Sequence, residues 1–174
     1  MIFNARKLVG LTLNHVSAAF VLGTTSTYTT TVATSASIGG KFCTSLGAQT
    51  NTASPTTDAA TGVVFPSLPA GSTDTSNGRA TVVVAGINAA GAIKYCQGSI
   101  VKTALGVTTT AGAFMDAPQF PALPDDFVPL AYFLVRNSPS AAAFTLGSTS
   151  WTASGITCST PVNISTLPDR PQTA

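Results

Sequence analysis

Acid–base and nucleophilic chemistry draw on a short list of side chains, and this chain supplies few of them. His15 is the only imidazole, all six acids are Asp, and no Glu is present. A Ser/His/Asp or Cys/His mechanism would have to run through His15, which sits among apolar residues with only the ordinary hydroxyl of Ser17 nearby and no GxSxG turn. It reads as a polar tip on an apolar segment. The only adjacent acids are Asp125 and Asp126. Neighbours on a strand point to opposite faces, and in a loop after a proline two Asp residues cap a turn. Asp58, Asp74, Asp116 and Asp169 are scattered, so no second carboxylate can be named to face one of them across a cleft, as glycoside hydrolysis requires.

Metal and cofactor chemistry is equally short of ligands. Cys43, Cys96 and Cys158 lie far apart, with no CxxC and no Cys/His cluster, whereas zinc needs three or four ligands. A DxDxDG calcium loop is missing. The glycines of Gly86-Ile87-Asn88-Ala89-Ala90-Gly91 come without a P-loop lysine or the dinucleotide-binding spacing, so a turn explains them. Asn163-Ile164-Ser165 matches a glycosylation sequon, a pattern short enough to arise by chance. An odd cysteine count argues against a fully paired framework; the thiols read as small buried hydrophobes, with a single long-range disulfide left open. Tyr95, Tyr132, Phe133 and Trp151 could line a sugar-binding surface, but core or subunit contact is the plainer reading. The residues therefore predict a protein that is not an enzyme, with no catalytic residue, cofactor or metal.

Composition narrows the class further. Only 8% of the 174 residues are charged, against roughly 25% in a typical soluble domain. Thr and Ser dominate instead, with 15 Gly and 11 Pro among the rest. Coiled coils and long helices draw on Glu, Lys and Arg and are excluded. Disorder is excluded by the aliphatic and aromatic content. A net charge of +2 neutralises few phosphates, so no nucleic-acid partner is expected. Arg79, Lys94, Lys102, Arg136 and Arg170 are isolated and read as solubility and rim charges.

The elements that would position these residues read as short strands. Residues 1–22 form an N-terminal arm with room for one short helix, carrying Ile2, Phe3, Leu8, Leu11, Leu13, Val16 and Phe20. Arg6-Lys7 followed by an apolar run to Leu22, with Ser17-Ala18-Ala19, has the outline of a signal peptide. Thr12, Asn14, His15 and Ser17 interrupt that run and it is too short to span a bilayer, so no membrane partner is expected. Residues 23–174 read as one β domain. Tyr28 to Val32 and Lys41 to Thr44 are strand-like, and 47–61 reads as an exposed loop. Thr81 to Ile87 and Ala92 to Gln97 read as two strands of a hairpin around Asn88-Ala89-Ala90-Gly91, with Ile93 and Tyr95 on one face and Lys94 and Cys96 on the other. Leu130 to Val135 is a further apolar strand, and Gly155 to Cys158 and Val162 to Ile164 close the chain. Phe65-Pro66-Ser67-Leu68-Pro69 is echoed by Phe120-Pro121-Ala122-Leu123-Pro124, and more weakly by Thr166-Leu167-Pro168-Asp169. Short strands punctuated by Gly and Pro predict an all-β fold, an antiparallel β-sandwich or barrel.

Residues 120 to 171 carry a resemblance. Phe120-Pro121-Ala122-Leu123-Pro124, Pro129 to Val135, Phe144 to Trp151 and Thr166 to Pro171 together resemble a pattern in structural proteins of tailed-bacteriophage particles, and the hairpin over 80–101 is compatible with it. The resemblance implies a small β-rich virion component of the decoration or cement type. Such a protein sits on the capsid exterior, commonly as a homotrimer, with the major capsid protein and itself as partners. It implies a scaffold and no inherited site residue. The apolar arm then becomes the expected interface, lying along a neighbour or adding a strand to its sheet. Two alternatives use the same residues: a phage tail, fibre or spike component reading a host receptor through its Thr-rich loops, and a secreted adhesin or pilus-type subunit.

Overall fold

In the computed structural model, the described residues are 13–14 (backbone), 19–39, 41–42, 46–71, 78–104, 110–165, 167–168 and 171. Twelve strands run along them: β1 (Leu13–Asn14), β2 (Phe20–Leu22), β3 (Thr27–Thr30), β4 (Ala36–Ile38), β5 (Lys41–Phe42), β6 (Gln49–Ala53), β7 (Arg79–Asn88), β8 (Ile93–Gln97), β9 (Val101–Lys102), β10 (Phe127–Asn137), β11 (Ile156–Cys158) and β12 (Val162–Asn163). Every strand pairing is antiparallel. No helix occurs among the described residues. The all-β, sandwich-like class expected from the sequence is what forms.

A central sheet has β7 and β10 as its middle pair. β8 and β9 flank β7, while β11 and β12 flank β10. Two small sheets, β2-β3-β6 and β1-β4-β5, accompany it. The middle strands are apolar without alternation because both of their faces are covered. On one face Val83, Ala85, Ile87, Tyr95, Leu130, Phe133 and Val135 meet Phe20 and Tyr28 of the β2-β3-β6 sheet and Ala36 of β4. Phe20 stacks on Tyr28 at 5.5 Å and on Phe133 at 6.4 Å, with Tyr95 edge-on to all three. On the opposite face Val84, Cys96, Phe127 and Tyr132 are covered by Phe120, Leu123, Val162, Ile164 and Leu167.

The Leu-Pro echoes thus serve opposite faces of one sheet. Phe65 and Leu68 are buried in the large core, while Phe120, Leu123 and Leu167 roof the other side. Two residues stand between Phe and Leu in each turn, which puts both side chains onto the sheet, and the prolines keep the segment extended.

A proline in a central strand removes a ladder hydrogen bond and is normally excluded there. Pro129 is accommodated because the register of β10 against β7 shifts between Pro129 and Ala131. The shift also swaps the core-facing parity, from Val128 and Leu130 before it to Ala131, Phe133 and Val135 after it. Across from it Gly86 pairs with Pro129, and a methyl group there would lie against the Phe127 ring and the Val128 carbonyl.

Three expectations change. Residues 47–61 were expected as one exposed loop, but Gln49–Ala53 is β6, paired with β3. It is polar and largely exposed, so alternation gave no sign of it. The arm was expected to run to residue 22, but Phe20–Leu22 is β2 of the domain and Leu13–Asn14 pairs with β4. Phe20 was expected at an interface, yet it is fully buried in its own chain. Ile2, Phe3, Leu8, Leu11, Val16, His15 and Cys43 lie outside the described residues, and only the backbone of Leu13 is described.

Candidate interaction surface

Among the described residues, Asp58, Cys96 and Asn163 serve the fold. Asp58 is buried, and both carboxylate oxygens accept main-chain N–H donors: Oδ1 from Ala60 at 2.7 Å and Thr61 at 3.2 Å, Oδ2 from Gln97 at 2.8 Å. Asp closing a turn on its own following amides is the expected local chemistry. Here the second oxygen also latches the turn onto β8, where the Ala59 N–H donates to the Tyr95 carbonyl. Asp125 and Asp126 lie exposed in a turn before β10. Lys94, Asp58 and Asp126 do share the lining of a cavity of about 170 Å³, but the Asp58 oxygens are already engaged by amides. Among the described residues no three metal-ligating side chains come together, and no helix is long and apolar enough to cross a membrane.

Cys96 and Cys158 carry free thiols. Burial, and then the nearby Asp58 carboxylate, push the Cys96 thiol up to about 12. Burial pushes Cys158 up to about 12 as well, and its thiol donates to the Trp151 carbonyl at 3.9 Å. Neutral thiols in such surroundings are poor nucleophiles. Tyr95, Tyr132, Phe133 and Trp151 are all buried, so they form core and present no aromatic platform for a sugar. The sequon Asn163 is occupied by structure: its Oδ1 accepts from the Phe20 N–H at 2.6 Å and its Nδ2 donates to the Phe20 carbonyl at 3.3 Å. This side-chain amide stands in for a neighbouring strand and fastens β2 to β12.

Phe42, Val63, Val64 and Met115 expose 59–64% of their area, a large fraction for apolar side chains. A groove of about 530 Å³ runs between β2 and β11, lined by Val21 and Leu22 on one side and by Ile156, Thr157 and Cys158 on the other. Trp151 and Thr152, from the turn before β11, and the Ser159-Thr160-Pro161 connection complete it. Its lining holds no charged residue. The indole of Trp151 is locked by donating to the Thr27 carbonyl at 2.8 Å. β2 and β11 are both terminal strands in the order of their sheets, so two sheet edges face the same groove.

The described residues form an all-β antiparallel sandwich, in a charge-poor chain, with several exposed apolar side chains and two sheet edges beside one groove. Comparison of the chain with protein families, with curated proteins and with solved structures finds no match. Sequence reasoning had no means of finding the groove, since Val21 and Cys158 stand far apart in the chain and strand-edge exposure is a property of topology. The lack of charge in both segments was its only sign.

Proposed function

We propose that this chain is a structural component of a tailed-bacteriophage particle, a decoration protein that binds the capsid exterior and braces the lattice of the major capsid protein. The observation that carries the reading is the uncharged groove between two sheet edges, on a chain with 8% charged residues and exposed Phe42, Val63, Val64 and Met115. An isolated monomer with such a surface is prone to self-association, whereas in a multi-copy assembly the same features are contact area. The resemblance of residues 120–171 to phage structural proteins gives the assembly its kind. Many copies on a lattice add avidity to contacts that are individually modest.

Gold labelling of the chain on intact particles tests this. Label spread over the head is expected; label confined to the tail, or absent, overturns it. The contribution of the arm is tested with a chain lacking residues 2–12. Removal of residues 1–22 would take Phe20 and β2 out of the core and so confuse binding with folding. The shorter deletion is expected to lose particle binding while the β domain stays folded.

A further inference from the structure

Hydrogen-bond parity shows what the groove lacks. In an antiparallel pair, residues alternate between bonding to the partner strand and pointing away from it. The Gly23 N–H donates to the Thr27 carbonyl, so in β2 Val21 bonds to β3, while Phe20 and Leu22 point away. The Ser159 N–H donates to the Leu134 carbonyl and the Ser138 N–H to the Gly155 carbonyl. In β11, therefore, Thr157 bonds to β10, while Ile156 and Cys158 point away.

The groups beside this gap are satisfied. Asn163 serves both main-chain groups of Phe20, and the hydroxyls of Ser150 and Thr152 donate to the Thr24 carbonyl. The far edge of the central sheet, at β8, is covered by Asp58 and Ala59. The Ile156 N–H turns back onto the Ala153 carbonyl. That leaves the N–H and C=O of Leu22, the C=O of Ile156 and the N–H and C=O of Cys158 facing the groove. Natural sheet edges are usually blunted by lysine, proline or a covering segment, and neither β2 nor β11 carries a charge or a proline.

We propose that this groove receives residues 2–11 of a second copy of the chain, added as a β-strand against β11 and Leu22. The inference rests on the assembly reading above and names the self-contact within it. The occupant fits on three counts. Residues 2–11 contain Ile2, Phe3, Leu8, Val9 and Leu11 and no proline, so they can both pair and bury apolar side chains against Val21 and Ile156. β11 offers three residues of edge, so about three of the ten residues pair with it and the others, about 23 Å when extended, cross from one sandwich to the other. Arg6 and Lys7 are the segment's only charges; as neighbours on a strand they would point to opposite faces, so they belong to the part of the segment that crosses between copies in solvent and not to the paired residues.

Trp151 is the only tryptophan in the chain and borders the groove with its ring buried, so sedimentation carries the decisive reading and the emission supports it. The experiment follows Trp151 emission and sedimentation of the purified full chain through a dilution series, beside a chain lacking residues 2–11. The full chain is expected to form oligomers that dissociate on dilution, with the emission shift following dissociation. The deletion is expected to be monomeric at all concentrations, and an added peptide of residues 1–12 should restore the shift. Val21→Arg in the full chain is expected to weaken association at least about tenfold. Val21 is 41% exposed, so this substitution leaves the core intact. Oligomers that persist in the deletion overturn the proposal. So does an emission difference independent of concentration, which would place the arm in the groove of its own chain, and so does a full chain that sediments as a monomer at every concentration. No particle takes part, so this result and the labelling result can fail separately.

Discussion

Phe20 shows how one side chain redraws a boundary. In sequence it closes an apolar arm; in the structure it is the ring on which Tyr28, Tyr95 and Phe133 converge. Phe20→Ala is expected to destabilise the domain by about 3–5 kcal/mol, the range for a large aromatic truncated in a core, measured by urea unfolding. An interface role alone would leave monomer stability unchanged. Asn163→Ala removes both clips on Phe20 and is expected to cost about 1–3 kcal/mol in the same assay, since it strands main-chain groups that the amide had satisfied. The thiols make a prediction in pH. Cys96 and Cys158 stay protonated in the fold up to about 12, whereas in the unfolded chain they ionise near 8.5. Between these values the unfolded state binds fewer protons, so stability is fully present below about pH 8.5 and is lost as pH rises toward 12. At pH 8 a thiol reagent should label these two cysteines slowly in the native protein and rapidly in urea.

At the scale of the element, what the sequence reveals depends on how many faces a strand buries. β7 and β10 were legible because burial on both sides makes them continuous apolar runs, and the turn between β7 and β8 was legible because Asn88 and Gly91 carry its chemistry. Asn88 Oδ1 accepts from the Ala92 N–H, and Gly91 holds a φ of 78°. β6 was not legible: Gln49-Thr50-Asn51-Thr52-Ala53 has no apolar face to alternate, and its pairing with β3 is visible only once β3 is in place. The register shift at Pro129 was hidden as well, because a bulge changes parity without changing composition. Its tight packing makes Gly86→Ala the test of this element. A methyl group meeting the Phe127 ring and the Val128 carbonyl is expected to destabilise by at least about 1–3 kcal/mol in thermal unfolding, although alanine is otherwise harmless in a strand.

For the molecule as a whole, the shortage of charge in the sequence takes a definite place. It lies along the groove where two sheet edges are left uncovered, and around the exposed Val63 and Val64 tip that Asp58 anchors. Among the described residues, Asp58 is held in a turn, Cys96 in a core and Asn163 in a clip. The function we propose lies in surface that suits neighbours, with a capsid lattice as the proposed assembly. The most direct test is the copy number of this chain in purified particles, measured against the major capsid protein by quantitative mass spectrometry. A decoration protein is expected in fixed, high proportion to the major capsid protein; a handful of copies per particle, or none, would contradict the account.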